Sequence, residues 1–475
     1  MIDKKKIIKS VSSMGVCTGI TAVLSVVQLS IVARFLTPSD YGFIVIPSVI
    51  IGALGVFLMA IPLGLIQREQ LSDDQVGSMH QYTMYIGCVL FALVLLAGGA
   101  LYRIYGEREL LYVLLALGVQ LLVLSLEITP RMLFRRDMRM EYIATAKVLS
   151  AVIGCVVAVV IAYCGGGYWA LVYAALARTI LSAIYIRVKS DHDLIPGIAG
   201  VRAARGMLGF GVSRGIDQVL VQFTGKIDQI VISGMMGQAA VGLYNVSSNV
   251  ARRPIDLIQP VMASVMFPLY ARLRLDRAKF SAFFSDTVAV ISLVIMSVAT
   301  CVSMLAPEVV GLLLGARWQS AVPIVTVIPF YFAFILIGVP CSEVAIASAK
   351  TTRMIVWSIL NAGLLGLVLL LVVNFVDGLL PVVIAAVALR LILLLGAFPY
   401  MLCGSGISWG RPMLRLCLRV LIPVLCFYGI IYSCWGLEVS SAPFGARILV
   451  LVLFLLVLMI VNAKCMYDII RSLIS

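Results

Sequence analysis

The chain has 475 residues, 62% hydrophobic and only 12% charged, with 36 Lys and Arg against 22 Asp and Glu for a net charge of +14. Soluble domains run at about 45–50% apolar and about 25% charged residues, so a water-soluble enzyme is excluded. The excess positive charge sorts by loop along the chain, which argues against nucleic-acid binding and for a protein threaded repeatedly through a bilayer.

A helix needs about 20 apolar residues to cross a hydrocarbon core of roughly 30 Å. Runs of low charge predict about 14 transmembrane helices, near 11–33, 42–66, 80–102, 110–130, 143–163, 168–187, 211–233, 242–266, 282–304, 322–347, 354–374, 379–402, 420–436 and 446–463. These runs are about twice as long as a barrel strand and do not alternate, so the fold class is an all-α integral membrane protein. The first run follows Lys4, Lys5 and Lys6, is too long for a signal peptide and precedes no small-residue cleavage site; it reads as a retained span. With both termini in the cytoplasm, basic residues outside the spans concentrate on the cytoplasmic side. The other side then holds only Arg34, Arg103, Arg108, Arg317 and Arg447. The 11 cysteines are scattered and the histidines are only His80 and His192, so no metal site and no cofactor are expected.

The polar segment 191–210 reads as a cytoplasmic linker. It separates an N-terminal six-helix bundle (1–190) from a C-terminal one (211–402), and 403–475 adds two further transmembrane helices and a cytoplasmic tail. The bundles look related. Ser13-x-Gly15 opens the first span and Ser213-x-Gly215 the seventh; the segments ending in Gly42 and Gly242 leave those spans at the same offset of 200. Gly106 and Gly315 precede the fourth and tenth spans, which carry Pro130 and Pro340. Two pseudo-symmetric bundles in parallel orientation are the expectation, and such halves enclose a substrate path.

Function should sit within the spans, because the loops are short. The seventh span carries Arg214, Asp217, Lys226 and Asp228, four charges that would together cost on the order of 10 kcal/mol in hydrocarbon. Arg214, Gln218, Gln222 and Lys226 recur every four residues and would line one helix face. Asp217 stands within pairing reach of Arg214. The eighth span continues with Asn245, Asn249, Arg252, Arg253 and Asp256, and the first carries Gln28 with Arg34 beyond its end. Arginine donates two parallel hydrogen bonds to phosphate, so Arg214, Lys226, Arg252, Arg253 and Arg34 are candidate diphosphate ligands in a wet cavity. Gln28, Gln218, Gln222, Asn245 and Asn249 are candidates to line it and meet sugar hydroxyls. Asp217, Asp228, Asp256 and Glu343 are candidates for coupling to a proton or sodium gradient. Interfacial anchoring is the competing reading for Arg34, Arg214, Arg252 and Arg253, and helix capping for Glu343. Arg178 and Arg390 read as snorkelling residues near cytoplasmic helix ends. Prolines such as Pro47, Pro62 and Pro329 are either repaired kinks or hinges.

The stretch Ala33-Arg34-Phe35-Leu36-Thr37-Pro38-Ser39-Asp40-Tyr41-Gly42 resembles the signature of the polysaccharide transporter (oligosaccharide flippase, Wzx-type) family of the MOP superfamily, which also holds the MATE exporters. Leu65-Ile66-Gln67-Arg68, Pro130-Arg131, Gly167-Tyr168-Trp169, Val241-Gly242-Leu243-Tyr244-Asn245 and Leu312-Leu313-Leu314-Gly315 with Trp318 fit by order and spacing. The resemblance implies a non-enzymatic transporter in the bacterial inner membrane that moves undecaprenyl-diphosphate-linked oligosaccharide by alternating access, for exopolysaccharide, capsule or O-antigen (lipopolysaccharide) biosynthesis. It also implies membrane lipids, a polysaccharide polymerase and a chain-length regulator as partners. The alternatives are a MATE-like small-molecule exporter and a membrane polysaccharide polymerase or glycosyltransferase. The latter is disfavoured by the lack of a large loop.

Overall fold

The computed structural model describes residues 4–66, 71–190, 205–273, 276–348, 351–403, 409–435, 445, 447–459 and 462. Among them every regular element is helical: α1 (Lys4–Ala33), α2 (Pro38–Ala60), α3 (Asp73–Tyr105), α4 (Arg108–Arg136), α5 (Met140–Tyr163), α6 (Trp169–Lys189), α7 (Arg205–Thr224) and α8 (Ile227–Leu273). There follow α9 (Arg277–Met304), α10 (Ala306–Leu313), α11 (Val322–Ile337), α12 (Val339–Ala347), α13 (Thr351–Phe375), α14 (Leu379–Leu402), α15 (Gly410–Leu416), α16 (Ile422–Trp435) and α17 (Arg447–Met459).

The helix starts are written in local chemistry. Thr37 caps α2: its hydroxyl accepts from Asp40 N, while the Asp40 carboxylate accepts from Thr37 N at 2.8 Å and from its hydroxyl at 2.7 Å, and Pro38 supplies a preset first turn. This is the physical content of the Thr-Pro-Ser-Asp stretch. Ser72 and Gln75 build the same reciprocal cap on α3, which ends at Gly106 with φ 71°. Gly315, which follows Leu314 ahead of a 3-10 turn, likewise has a positive φ of 87°. The Gly165–Gly167 turn enters α6 with φ 80° and 51° at its two ends, and Tyr168 then packs against Phe43 and Trp169.

Among the described residues twelve helices are long and apolar enough to cross a membrane, by length and composition, where 14 were expected. The two that fall short are themselves helical. In α7 the charged and amide residues lower the hydropathy, and α17 is a short apolar helix as described. Two further differences concern continuity. The predicted seventh span breaks after Thr224, where Gly225 and Lys226 form a turn, and α8 starts at Ile227. Within Ile227–Leu273 two helical stretches meet at Gly237, whose φ 81°, ψ −177° is not helical and is a backbone conformation open to glycine alone; this break falls between the expected seventh and eighth spans. The predicted tenth span divides at Gly338 into α11 and α12, and the second ends in a 3-10 turn, Ile61–Leu65, that accommodates Pro62.

Contacts group the chain into two compact units, Met1–Leu243 with Leu313–Arg317, and Tyr244–Leu312 with Trp318–Ser475. The first unit packs α3 on α4, α4 on α6, and α5 on both α1 and α6, around Leu58, Val94, Leu114 and Leu121. In the same unit α7 lies along α2 and the 3-10 turn. The second packs α11 on α9 and α14, and α13 on α14, with a core of Phe284, Ile295, Ile337 and Phe398. Phe454 of α17 stacks on Phe427 of α16 at 3.9 Å.

Within the first unit, α2 and the segment after the Gly237 kink cross at backbone contact. A β-carbon on Gly42 would run into the Gln238 backbone, and one on Gly242 into the Pro38 carbonyl. Gly242→Val is therefore expected to destabilise the protein on the order of 3 kcal/mol through overpacking. Gly99→Ala, at a position with nothing within 4 Å, serves as control. Thermal melting in detergent that ranks the two variants equal would refute the crossing.

Candidate functional site

Two polar clusters inside the first unit are built around arginines. Arg178 lies midway along α6 rather than near a helix end. Its guanidinium donates to the Gln28 amide oxygen on α1, and its stem lies so close to Gly154 of α5 that no side chain fits there. The second cluster is compensated. Glu127 of α4, 1% exposed, accepts from Arg131 one turn on, and Ser182 of α6 links to both at 2.8 Å. The Glu127-x-x-x-Arg131 spacing was a legible signal that the sequence reading passed over. In the turn between α3 and α4, burial and the nearby Glu109 charge raise the Glu107 pKa above the ordinary carboxylate value, and a hydrogen bond with the Gln238 side chain opposes the shift.

Between α2, α4 and α6 the first unit has a half-open pocket of about 280 Å³, lined by Ser48, Gly52, Gly55, Gln120, Thr179 and apolar neighbours. Helix α7 reaches its edge. Gly211 packs on the Ile61 backbone and Gly215 on Phe57, while the Gln222 amide nitrogen lies 3.2 Å from the place a Gly52 β-carbon would take. Small residues four apart let the two backbones approach closely. Gln218 shares this flank of α7 by spacing. Arg214 and Asp217 pair with each other and are substantially exposed.

The structure moves Lys226 off the α7 stripe, because the helix ends before it; it sits half-buried in the turn. Asp228, 6% exposed in the first turn of α8, accepts from Gln229 N at 2.8 Å. Arg34 is exposed, its stem beside Gly315, and Arg317 donates to the neighbouring Phe35 carbonyl at 3.3 Å.

In the second unit Asn249 donates to Asn245 at 2.9 Å on one face of α8. Arg252 is exposed with its guanidinium 5.8 Å from the Phe332 ring centre, and Arg253 is half-buried. Glu343 is half-buried within α12, not at a helix terminus. The Asp256 side chain lies outside the described residues. The sequence reading also placed Arg390 near a helix end. It lies midway along α14, donating to Asn361 of α13 at 3.2 Å and to the Tyr331 hydroxyl of α11 at 2.8 Å. Arg447, 5% exposed at the start of α17, is paired with Glu308 of α10. Among the described residues no group of three or more His, Cys, Asp or Glu could hold a metal ion.

Together, apolar spans with cations and amides held among them define a multi-pass membrane protein. A family model for "Polysaccharide biosynthesis protein" matches residues 31–323, and the chain belongs to that family. It is 21% identical over 356 residues to the lipopolysaccharide biosynthesis protein WzxC of Escherichia coli K12, covering 73% of this chain and 71% of that one. Its fold is similar to the lipid II flippase MurJ in an inward closed conformation (TM-score 0.70, 13% identity, 95% of this chain and 99% of that one). It is also similar to an inward-facing multidrug resistance MATE family transporter of the MOP superfamily (TM-score 0.64, 15% identity, 80% of this chain and 93% of that one).

Two outcomes follow from these clusters. Glu127→Ala leaves the Arg131 charge without its acid and should cost on the order of 3 kcal/mol. The double variant with Arg131→Met should recover part of that loss in a melting experiment. Glu107 is neutral more readily in the folded state, so its contribution to stability is present in acid and is lost as pH rises through and above the ordinary carboxylate range. Melting temperatures from about pH 4 to about pH 8 should therefore decline less in Glu107→Gln than in the parent protein, and a parallel pair of curves would exclude the effect.

Proposed function

We propose that this protein is a flippase that carries undecaprenyl-diphosphate-linked oligosaccharide across the bacterial inner (cytoplasmic) membrane by alternating access. It would serve exopolysaccharide, capsule or O-antigen assembly alongside a polymerase and a chain-length regulator. The observation that carries this reading is the concentration of cations and amides on α7 and α8 of an otherwise apolar chain belonging to a polysaccharide biosynthesis family. A polyprenyl tail can stay in the bilayer, but a diphosphate and its sugars need a polar route.

In this reading Arg214, Lys226, Arg252, Arg253 and Arg34 bind the diphosphate, and Gln28, Gln218, Gln222, Asn245 and Asn249 meet the sugar. Asp217, Asp228, Asp256 and Glu343 couple the cycle to a proton or sodium gradient, since a carboxylate can exchange its charge within the membrane. Residues 1–190 and 211–402 act as the two moving six-helix bundles, and both termini face the cytoplasm. The kink at Gly237 and the turn at Gly225–Lys226 supply backbone that can reorient without breaking a helix interior.

Deleting the gene should abolish surface polysaccharide and leave lipid-linked oligosaccharide in the cytoplasmic leaflet. An Arg252→Gln, Arg253→Gln double variant, expressed at the parent level, should restore at most about one tenth of the surface polymer, the loss expected when charge-assisted phosphate contacts go. Drug sensitivity on deletion, with surface polymer unchanged, would instead identify a small-molecule exporter.

A further inference from the structure

The roles above leave Arg390 unused. Arg131 is compensated by Glu127, Arg214 by Asp217, and Arg447 by Glu308. Arg390, like Arg178 with Gln28, is held by neutral groups: among the described residues its hydrogen bonds reach the Asn361 amide oxygen and the Tyr331 hydroxyl, and its guanidinium carbon sits 4.8 Å from the Tyr331 ring centre. Its Nε is buried without an acceptor. A guanidinium has five N–H donors. Two reach Asn361 and Tyr331 and Nε reaches nothing, so N–H groups on the two terminal nitrogens are left over. Tyr331 is only 3% exposed, whereas Arg390 and Asn361 are half-buried. The head is thus set by groups from α11, α13 and α14 while one side stays accessible.

A positive charge held in an apolar bundle, with no acid paired to it among the described residues, is a site for an anion. The terminal nitrogens each keep an N–H that can donate to a phosphate oxygen. We propose that Arg390, oriented by Asn361 and Tyr331, forms a phosphate-binding site within the second unit, at a residue not among those assigned to the diphosphate above. Its occupant is a phosphate or diphosphate group. The flippase reading bears only on whether that group arrives on a polyprenyl lipid, on a bulk anionic lipid or free in solution.

The site carries its own reporter. Trp357 lies one turn before Asn361, its carbonyl accepts from the Asn361 amide at 2.8 Å, and its indole stacks on Tyr400. Purified full-length protein in nanodiscs of zwitterionic lipid is titrated with farnesyl diphosphate, with inorganic pyrophosphate, and with farnesol as the neutral control. Trp357 fluorescence is isolated by difference against Trp357→Phe. Farnesyl diphosphate should shift the signal and farnesol should not. Arg390→Gln should weaken binding at least about tenfold. Asn361→Asp, which keeps the guanidinium but supplies a counter-charge beside it, should do the same. Arg103→Gln, at an exposed arginine in the last turn of α3 in the first unit with no role assigned above, should leave the midpoint within about twofold.

Equal midpoints for farnesyl diphosphate and pyrophosphate would mark a free anion as the occupant. Loss of the signal in nanodiscs containing phosphatidylglycerol would mark a bulk lipid headgroup, and both results keep the site. Parent-level binding in Asn361→Asp and Arg390→Gln, at unchanged melting temperature, overturns it, as does an equal loss in Arg103→Gln. If Arg390→Gln fails to fold, Asn361→Asp alone decides. A normal surface polysaccharide in the deletion strain would sink the flippase reading and leave this measurement standing.

Discussion

Hydrocarbon offers no hydrogen bonds, so every charge on a span must be met by protein or by a wet surface. That constraint organises the internal arginines. Arg131 is met by a carboxylate and a hydroxyl, and this pair ties α4 to α6. Arg178 is held by an amide from α1, and Gly154 gives up its side chain so that the arginine stem can pass. Arg390 is held by an amide, a phenol and a ring. In each case one long side chain draws together helices that apolar packing alone would leave free to slide.

The choice of partner separates structure from function. A buried acid–base pair cancels its own field and leaves little to attract a ligand. A guanidinium held by neutral oxygens keeps its field and gains only orientation. The first arrangement suits a brace and the second a binding group, which is why Glu127 marks Arg131 as structural while Asn361 leaves Arg390 open to chemistry.

Much of the fold was readable in the residues. The apolar runs located helices at all the expected places, Thr37 and Ser72 announced helix starts, and Gly106 and Gly165–Gly167 announced turns. The matched glycines at 42 and 242 turned out to be positions of backbone contact. Continuity was only partly legible. Periodicity carried the α7 stripe through Lys226 because Gly225 is tolerated inside a helix pattern, whereas the break expected before Gly242 is present at Gly237. Partners were legible only when near in sequence. Arg214 with Asp217 and Asn245 with Asn249 obey helix spacing, whereas Gln28 and Arg178, or Tyr331 and Arg390, meet only through tertiary packing. Arg178 and Arg390 were consequently read as surface-seeking, since a lone arginine in an apolar run carries no sign of the amide awaiting it.

The setting of Arg390 has an electrical consequence. It is a cationic side chain midway along α14, a helix long and apolar enough to cross a membrane, and among the described residues its hydrogen bonds reach only an amide oxygen and a phenol. Moving one elementary charge through a full 100 mV is worth about 2.3 kcal/mol, so any displacement of α14 that carries this charge through part of a membrane voltage is biased by the same part of that energy.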